Sequence, residues 1–125
     1  MYFVNVERHF DAAHYLREYQ GKCENLHGHR YQVVARLKAA GNNNAGMAYD
    51  FTILKKELEQ VLARFDHRCL NEVSPFDEIN PSAENIARTI YCELENVLGK
   101  LPEGVSLDAV TVWESPGSWV EFRPG

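Results

Sequence analysis

The run Cys23-Glu24-Asn25-Leu26-His27-Gly28-His29 is the part of the chain best equipped for chemistry. Histidines two apart on an extended strand point to the same side, and neutral imidazoles placed side by side can share one metal ion. His14 lies on the preceding segment, and antiparallel pairing can bring it opposite His27 and His29. Three histidines leave one coordination position open, the catalytic form of a zinc site, in which a bound water or substrate oxygen is polarised and made more acidic. The same residues are also compatible with ordinary strand histidines, or with a closed structural zinc site in which Cys23 is the fourth ligand.

Three further groups can work beside such a centre. A thiol close to zinc and histidines has its thiolate favoured, so Cys23 can act as base or nucleophile, although most lone cysteines do neither. Asp66-His67 sets a carboxylate next to an imidazole, but neighbouring side chains often point apart, and by itself the pair also fits a surface loop. Glu114 ends a segment whose other same-side residues include Val110 and Val112, which places a carboxylate on an apolar face. Such a group needs a partner: a structural arginine, or the amino and ring N–H groups of a guanine-like or pterin ligand, which match its two acceptors. Trp113 and Trp119 read as core or interface residues.

These residues require strands to align them and helices to back the strands. Residues 2 to 14 mix apolar and polar positions, with Phe10, Ala12 and His14 on one side of an extended segment. From His27 onward the alternation is clearer: His27, His29, Tyr31, Val33, Ala35 and Leu37 share one face, while Arg30, Gln32, Arg36 and Lys38 share the other. Gly41 to Gly46 is a loop by composition. Asp50 can cap a helix carrying Phe51, Leu54, Leu58, Val61, Leu62 and Phe65 at helical spacing, ending near Arg64 or Phe65. Residues 66 to 80 have no sustained period and read as a connecting loop. A second helix starts around Asn80-Pro81-Ser82, buries Ala83, Ile86, Ala87, Ile90, Leu94, Val97 and Leu98, and stops at Gly99. Ser106 to Glu114 and Trp119 to Arg123 form a closing hairpin around Ser115-Pro116-Gly117-Ser118. The order is ββααββ, an α+β fold with a four-stranded antiparallel sheet and two helices packed on one face.

Bulk properties narrow the partners. With 125 residues, 45% of them hydrophobic, the chain suits one domain spanning residues 1–125. A net charge of -5 argues against nucleic acid or an anionic membrane as the main partner. The opening Met1-Tyr2-Phe3-Val4-Asn5-Val6 turns polar too soon for a signal peptide, and no run is long and apolar enough to span a membrane, so a cytoplasmic location is expected. Cys23, Cys69 and Cys92 are odd in number and scattered, as reduced thiols are.

Taken together, Phe10-Asp11-Ala12-Ala13-His14, Cys23 to His29, Phe65-Asp66-His67, Asn80-Pro81-Ser82-Ala83-Glu84-Asn85 and Trp113-Glu114-Ser115 resemble the 6-pyruvoyl-tetrahydropterin synthase superfamily, in the same order and over nearly the whole chain. The resemblance implies the tunnelling fold, with subunits joined through their sheets into barrels, usually as a homohexamer with active sites between subunits. It implies a zinc ion held by His14, His27 and His29, Cys23 as proton acceptor, His67 oriented by Asp66 as acid-base partner, and Glu114 as the catalytic and substrate-binding anchor of a pterin triphosphate.

The three residues between Cys23 and His27 resemble the bacterial 6-carboxytetrahydropterin synthases of queuosine biosynthesis, whereas animal pyruvoyl synthases carry a longer insertion there. The reaction so implied turns 7,8-dihydroneopterin triphosphate into 6-carboxy-5,6,7,8-tetrahydropterin, acetaldehyde and triphosphate. Glu24 departs from this pattern and resembles members that cleave the same substrate to 6-hydroxymethyl-dihydropterin. Folate-type cleavage and pyruvoyl synthesis are therefore the alternatives, and a non-enzymatic zinc-binding assembly module is the alternative of a different class. Lys22, Arg30 and Arg68 are triphosphate candidates by proximity to the motifs alone.

Overall fold

The structure is a computed structural model that describes residues 1–18, 25–43 and 45–125. Two long strands form its centre. β1 (Tyr2–His14) and β2 (His27–Ala39) pair antiparallel along their full length, from Tyr2 opposite Ala39 to His14 opposite His27. The expected alternation is present: Val6, Phe10, Ala12 and His14 of β1 and Tyr31, Val33, Ala35 and Leu37 of β2 are buried on one face.

Helix α1 (Phe51–Leu62) begins where Asp50 accepts a 2.8 Å hydrogen bond from the Thr52 N–H. Helix α2 (Ala83–Leu98) begins where Ser82 accepts from the Asn85 N–H, and Gly99 stops it with φ 59°, a conformation that suits a residue without Cβ. Leu54, Leu58, Val61 and Leu62 of α1 and Ile86, Ile90, Leu94 and Leu98 of α2 join the buried strand residues in one core. Each fully buried aliphatic side chain contributes about 1.5–3 kcal/mol by leaving water, so this layer is what keeps β1 and β2 in register.

The sheet has five strands where four were expected, in the order β3-β1-β2-β4-β5. The extra strand, β3 (Arg68–Cys69), runs parallel to β1, with Ala12 opposite Arg68 and Ala13 opposite Cys69. Two residues carry no readable period, so this pairing has no local signature. The surrounding 66–80 segment is packed rather than loose, with Leu70, Asn71 and Phe76 buried. β4 (Val105–Ser115) and β5 (Ser118–Phe122) form the expected closing hairpin.

The face away from the helices carries paired polar side chains, including Asp11 with Arg30 and Glu7 with Gln32. Trp113 and Trp119, expected in a core or interface, lie against each other with ring centroids 5.8 Å apart, and Trp119 is exposed. Asp108 is the extra residue where the β2–β4 register shifts, and its buried carboxylate accepts from Arg36 at 2.7 Å and Arg123 at 2.8 Å. Burial alone pushes that carboxyl up, but the two arginines outweigh it and hold it below its ordinary range.

Candidate metal centre

Strand pairing places the three histidines together. His14 ends β1 directly opposite His27, which starts β2, and His29 follows two residues later on the same face. Glu114, near the end of β4, arrives from the other side of β2. The ligand atoms of His14, His27, His29 and Glu114 all lie within 4.8 Å of one another. His14 Nε2 is 3.1 Å from His27 Nε2 and 3.2 Å from Glu114 Oε1, and His29 Nε2 is 3.4 Å from the same oxygen.

The outer partners of two rings settle what these atoms can do. His14 Nδ1 lies 2.9 Å from the Pro81 carbonyl, and His27 Nδ1 lies 2.8 Å from the Asn25 carbonyl. A carbonyl oxygen only accepts, so both Nδ1 atoms carry hydrogen, and in the neutral rings both Nε2 atoms present lone pairs. Two nitrogen lone pairs and a carboxylate oxygen are thus turned toward one another. A proton can relieve one such contact, whereas a cation among the four ligands relieves all of them. Donors on a tetrahedral ion at about 2.0–2.1 Å stand about 3.3 Å apart, close to the observed separations. The donor set therefore fits a metal ion, and the outer hydrogen bonds are of the kind that orient metal-binding imidazoles.

Sequence reasoning placed Glu114 on an apolar face in need of a partner and assigned three ligands to the metal. In the structure the partners of Glu114 are His14 and His29, so the cluster contains four potential ligands. A cavity of about 480 Å³ adjoins it, lined by Gly28, His29, Gln32, Trp113, Glu114 and Ser115 among others. Cys23, Glu24 and Lys22 lie outside the described residues.

Asp66 and His67 belong to a second cluster, completed by Asp11. Their side chains meet, with His67 Nδ1 3.0 Å from Asp66 Oδ2. His67 has φ 60°, an uncommon conformation for a residue with a Cβ, and its backbone N–H donates to the Asp11 carbonyl. Asp66 also accepts from the Asp11 N–H at 2.9 Å. The His67 side chain is 78% exposed, whereas that of His14 is 2% exposed. Asp11 itself is gripped by Arg30, whose hydrogen bonds hold its carboxyl below the usual range against the opposing effect of burial. Sequence reasoning gave Asp11 no site role; its position directly opposite Arg30 on the paired strand was the available signal. Arg30 is thus engaged with Asp11, while Arg68 is exposed beside Asp66 and His67 in a separate depression.

Comparison with known proteins gives a consistent result. A family model described as "6-pyruvoyl tetrahydropterin synthase" matches residues 3–125. The chain is 32% identical to the 6-carboxy-5,6,7,8-tetrahydropterin synthase of Bacillus subtilis (strain 168) over 126 aligned residues, covering 97% of this chain and 84% of that one. It is 35% identical to the dihydroneopterin monophosphate aldolase of Pyrococcus furiosus over 114 aligned residues, covering 91% and 90%. The solved structure of Caenorhabditis elegans 6-pyruvoyl tetrahydropterin synthase superposes with a TM-score of 0.81 at 31% identity, covering 100% of this chain and 98% of that one.

Proposed function

The chain belongs to the 6-pyruvoyl tetrahydropterin synthase family, and within it we propose a cytoplasmic, zinc-dependent lyase that converts 7,8-dihydroneopterin triphosphate to 6-carboxy-5,6,7,8-tetrahydropterin, acetaldehyde and triphosphate for queuosine biosynthesis. The observation that carries the proposal is the convergence of His14, His27, His29 and Glu114, with the hydrogen-bonded tautomers of His14 and His27 turning their Nε2 atoms inward.

His14, His27 and His29 would hold zinc, which when bound supplies Lewis acidity toward the hydroxyls of the substrate side chain. The protein groups would do the rest. Cys23 would take a proton from the side-chain carbon next to the polarised oxygen, and His67, oriented by Asp66, would return protons as the carbon-carbon bond breaks. With the three histidines on the metal, Glu114, the fourth potential ligand of the cluster, would be left to receive the amino and ring N–H groups of the pterin; it lines the cavity beside the histidines, where a ligand approaching them would meet it. The active sites would lie between subunits of a homohexamer, with the exposed His67 of one copy serving the histidine cluster of another.

Relatives with three different activities in their names match at 32%, 35% and 31% identity, so overall likeness does not select the product. The three-residue spacing from Cys23 to His27 favours the carboxy product. Glu24, together with the likeness to an aldolase, supports a second reading, cleavage to 6-hydroxymethyl-dihydropterin. The test is incubation of zinc-loaded protein with 7,8-dihydroneopterin triphosphate and identification of products by mass spectrometry. 6-Carboxytetrahydropterin with acetaldehyde is expected. A 6-hydroxymethyl or 6-pyruvoyl product would move the enzyme to another branch, and no turnover would contradict the lyase.

A further inference from the structure

The Asn80-Pro81-Ser82-Ala83-Glu84-Asn85 segment has no part in the chemistry described so far, yet it touches the metal centre through one carbonyl. Beyond His14 the chain leaves the sheet: the β1–β2 ladder ends at His14 and His27, and the β1–β3 pairing ends at Ala13 and Cys69. Residues 15 to 17 therefore need other partners for their backbone polar groups. Two asparagine side chains supply them. Asn71 Oδ1 accepts from the Tyr15 N–H at 3.0 Å while its Nδ2 donates to the Tyr15 carbonyl at 2.9 Å. Asn80 does the same for Arg17, with both bonds at 2.8 Å. The two amides thus serve Tyr15 and Arg17 where the neighbouring strands have ended. Serving both groups of one residue takes a donor and an acceptor on one planar side chain, which a carboxylate lacks.

The grip is reciprocal. Arg17 donates to the carbonyls of Ile79, Asn71 and Phe76 at 3.2, 3.4 and 2.8 Å. Asn80 is anchored in turn by Asn85, whose Nδ2 donates to the Asn80 carbonyl at 2.9 Å, and the Asn85 N–H is capped by Ser82. Pro81, whose carbonyl orients His14, sits between these anchors.

We infer that Asn80, supported by Asn71, is a positioning residue for the metal centre: its amide clamp on Arg17 and its tie to the start of α2 together hold the His14 backbone and the Pro81 carbonyl at the spacing that turns His14 Nε2 toward His27. The inference rests on the metal reading of the histidine cluster.

The test measures zinc affinity of the full-length protein by competition with a chromophoric chelator, with circular dichroism and the melting of the zinc-free protein as fold controls. Outer partners of metal-binding histidines are worth about 10–100-fold in affinity, and Asn80 acts one step further out, through the Pro81 carbonyl, so Asn80→Ala is expected to weaken zinc binding by the low end of that range, about tenfold. Asn80→Asp keeps the acceptor for the Arg17 N–H and loses the donor, and is expected to fall between Asn80→Ala and the parent. Tyr91→Phe, which removes a hydrogen bond to the Leu107 carbonyl on β4, is expected to cost stability with affinity unchanged. A folded Asn80→Ala protein binding zinc within about twofold of the parent overturns the inference, as does an equal loss in Tyr91→Phe. Should Asn80→Ala fail to fold, the same criterion applies to Asn80→Asp. His14→Ala separates the two levels: unchanged zinc affinity in that variant refutes the metal reading itself, whereas a loss there without one at Asn80 refutes only the clamp.

Discussion

The two clusters of titratable side chains are finished to different degrees. Around His14 the ring is buried, its outer nitrogen is tied to a carbonyl, and its inner nitrogen meets other potential ligands contributed by β2 and β4. Around His67 the ring is tied to Asp66 on one side and otherwise faces solvent, on a backbone conformation that residues with a Cβ rarely adopt. The first arrangement is built to hold something within one chain. The second is built to present an imidazole outward at a fixed angle. Strain of this kind persists only where surrounding contacts impose it, and here the Asp11 backbone does so through both its N–H and its carbonyl. This contrast is the basis of the division of labour proposed above, in which each chain would hold a metal centre and offer an acid-base group to the next.

The largest expected effect breaks the first cluster. His27→Ala removes a ligand rather than an outer partner, so zinc affinity is expected to fall by more than about 100-fold, with turnover lost alongside; metal content after dialysis checks the first and the product assay the second. The next substitutions should separate chemistry from metal binding. His67→Ala and Cys23→Ala are each expected to lower kcat by about 10²–10⁴-fold, the usual worth of a positioned acid or base, with zinc still bound stoichiometrically. Loss of zinc in Cys23→Ala would instead favour the closed, cysteine-ligated site and break the comparison.

The smallest expected effect on function sharpens the contrast from outside. Among the described residues, Asp108 is the buried carboxylate that belongs to neither cluster, and Asp108→Asn should alter stability while leaving zinc and turnover alone. Arg36 and Arg123 hold its folded-state carboxyl below the ordinary 3.8, so its stabilising contribution is fully present above that value and is lost as pH falls through the lower, folded one. Denaturant melts should therefore show the variant about 2 kcal/mol less stable at neutral pH, with the gap closing only below about pH 4. A constant gap into strong acid would contradict the assignment.

Much of this was legible in the amino-acid order because the relevant periods are local. Alternation through Tyr31, Val33, Ala35 and Leu37 implied which way His27 and His29 point, and Asp50, Ser82 and Gly99 marked the helix ends through their own side chains or lack of one. The remainder depended on contacts between distant segments. β3 is too short to carry a pattern, and the Pro81 carbonyl that sets the His14 tautomer is a backbone group with no sequence signature. Asp66 and His67 meet where His67 has φ 60°, a backbone conformation the local sequence does not announce. Glu114 was recognisable as a carboxylate needing a partner, but only the β2–β4 pairing brought that partner to be the histidine cluster.

The division of labour is tested most directly by co-expressing His27→Ala and His67→Ala chains, each inactive alone, and assaying the mixed assemblies with 7,8-dihydroneopterin triphosphate. If each active site draws its metal cluster from one copy and its His67 from another, random mixing should restore up to about a quarter of parental turnover, because one site in four then receives both intact halves. Mixed assemblies that remain as inactive as either variant alone would contradict a shared site and return His67 to the chain that carries it.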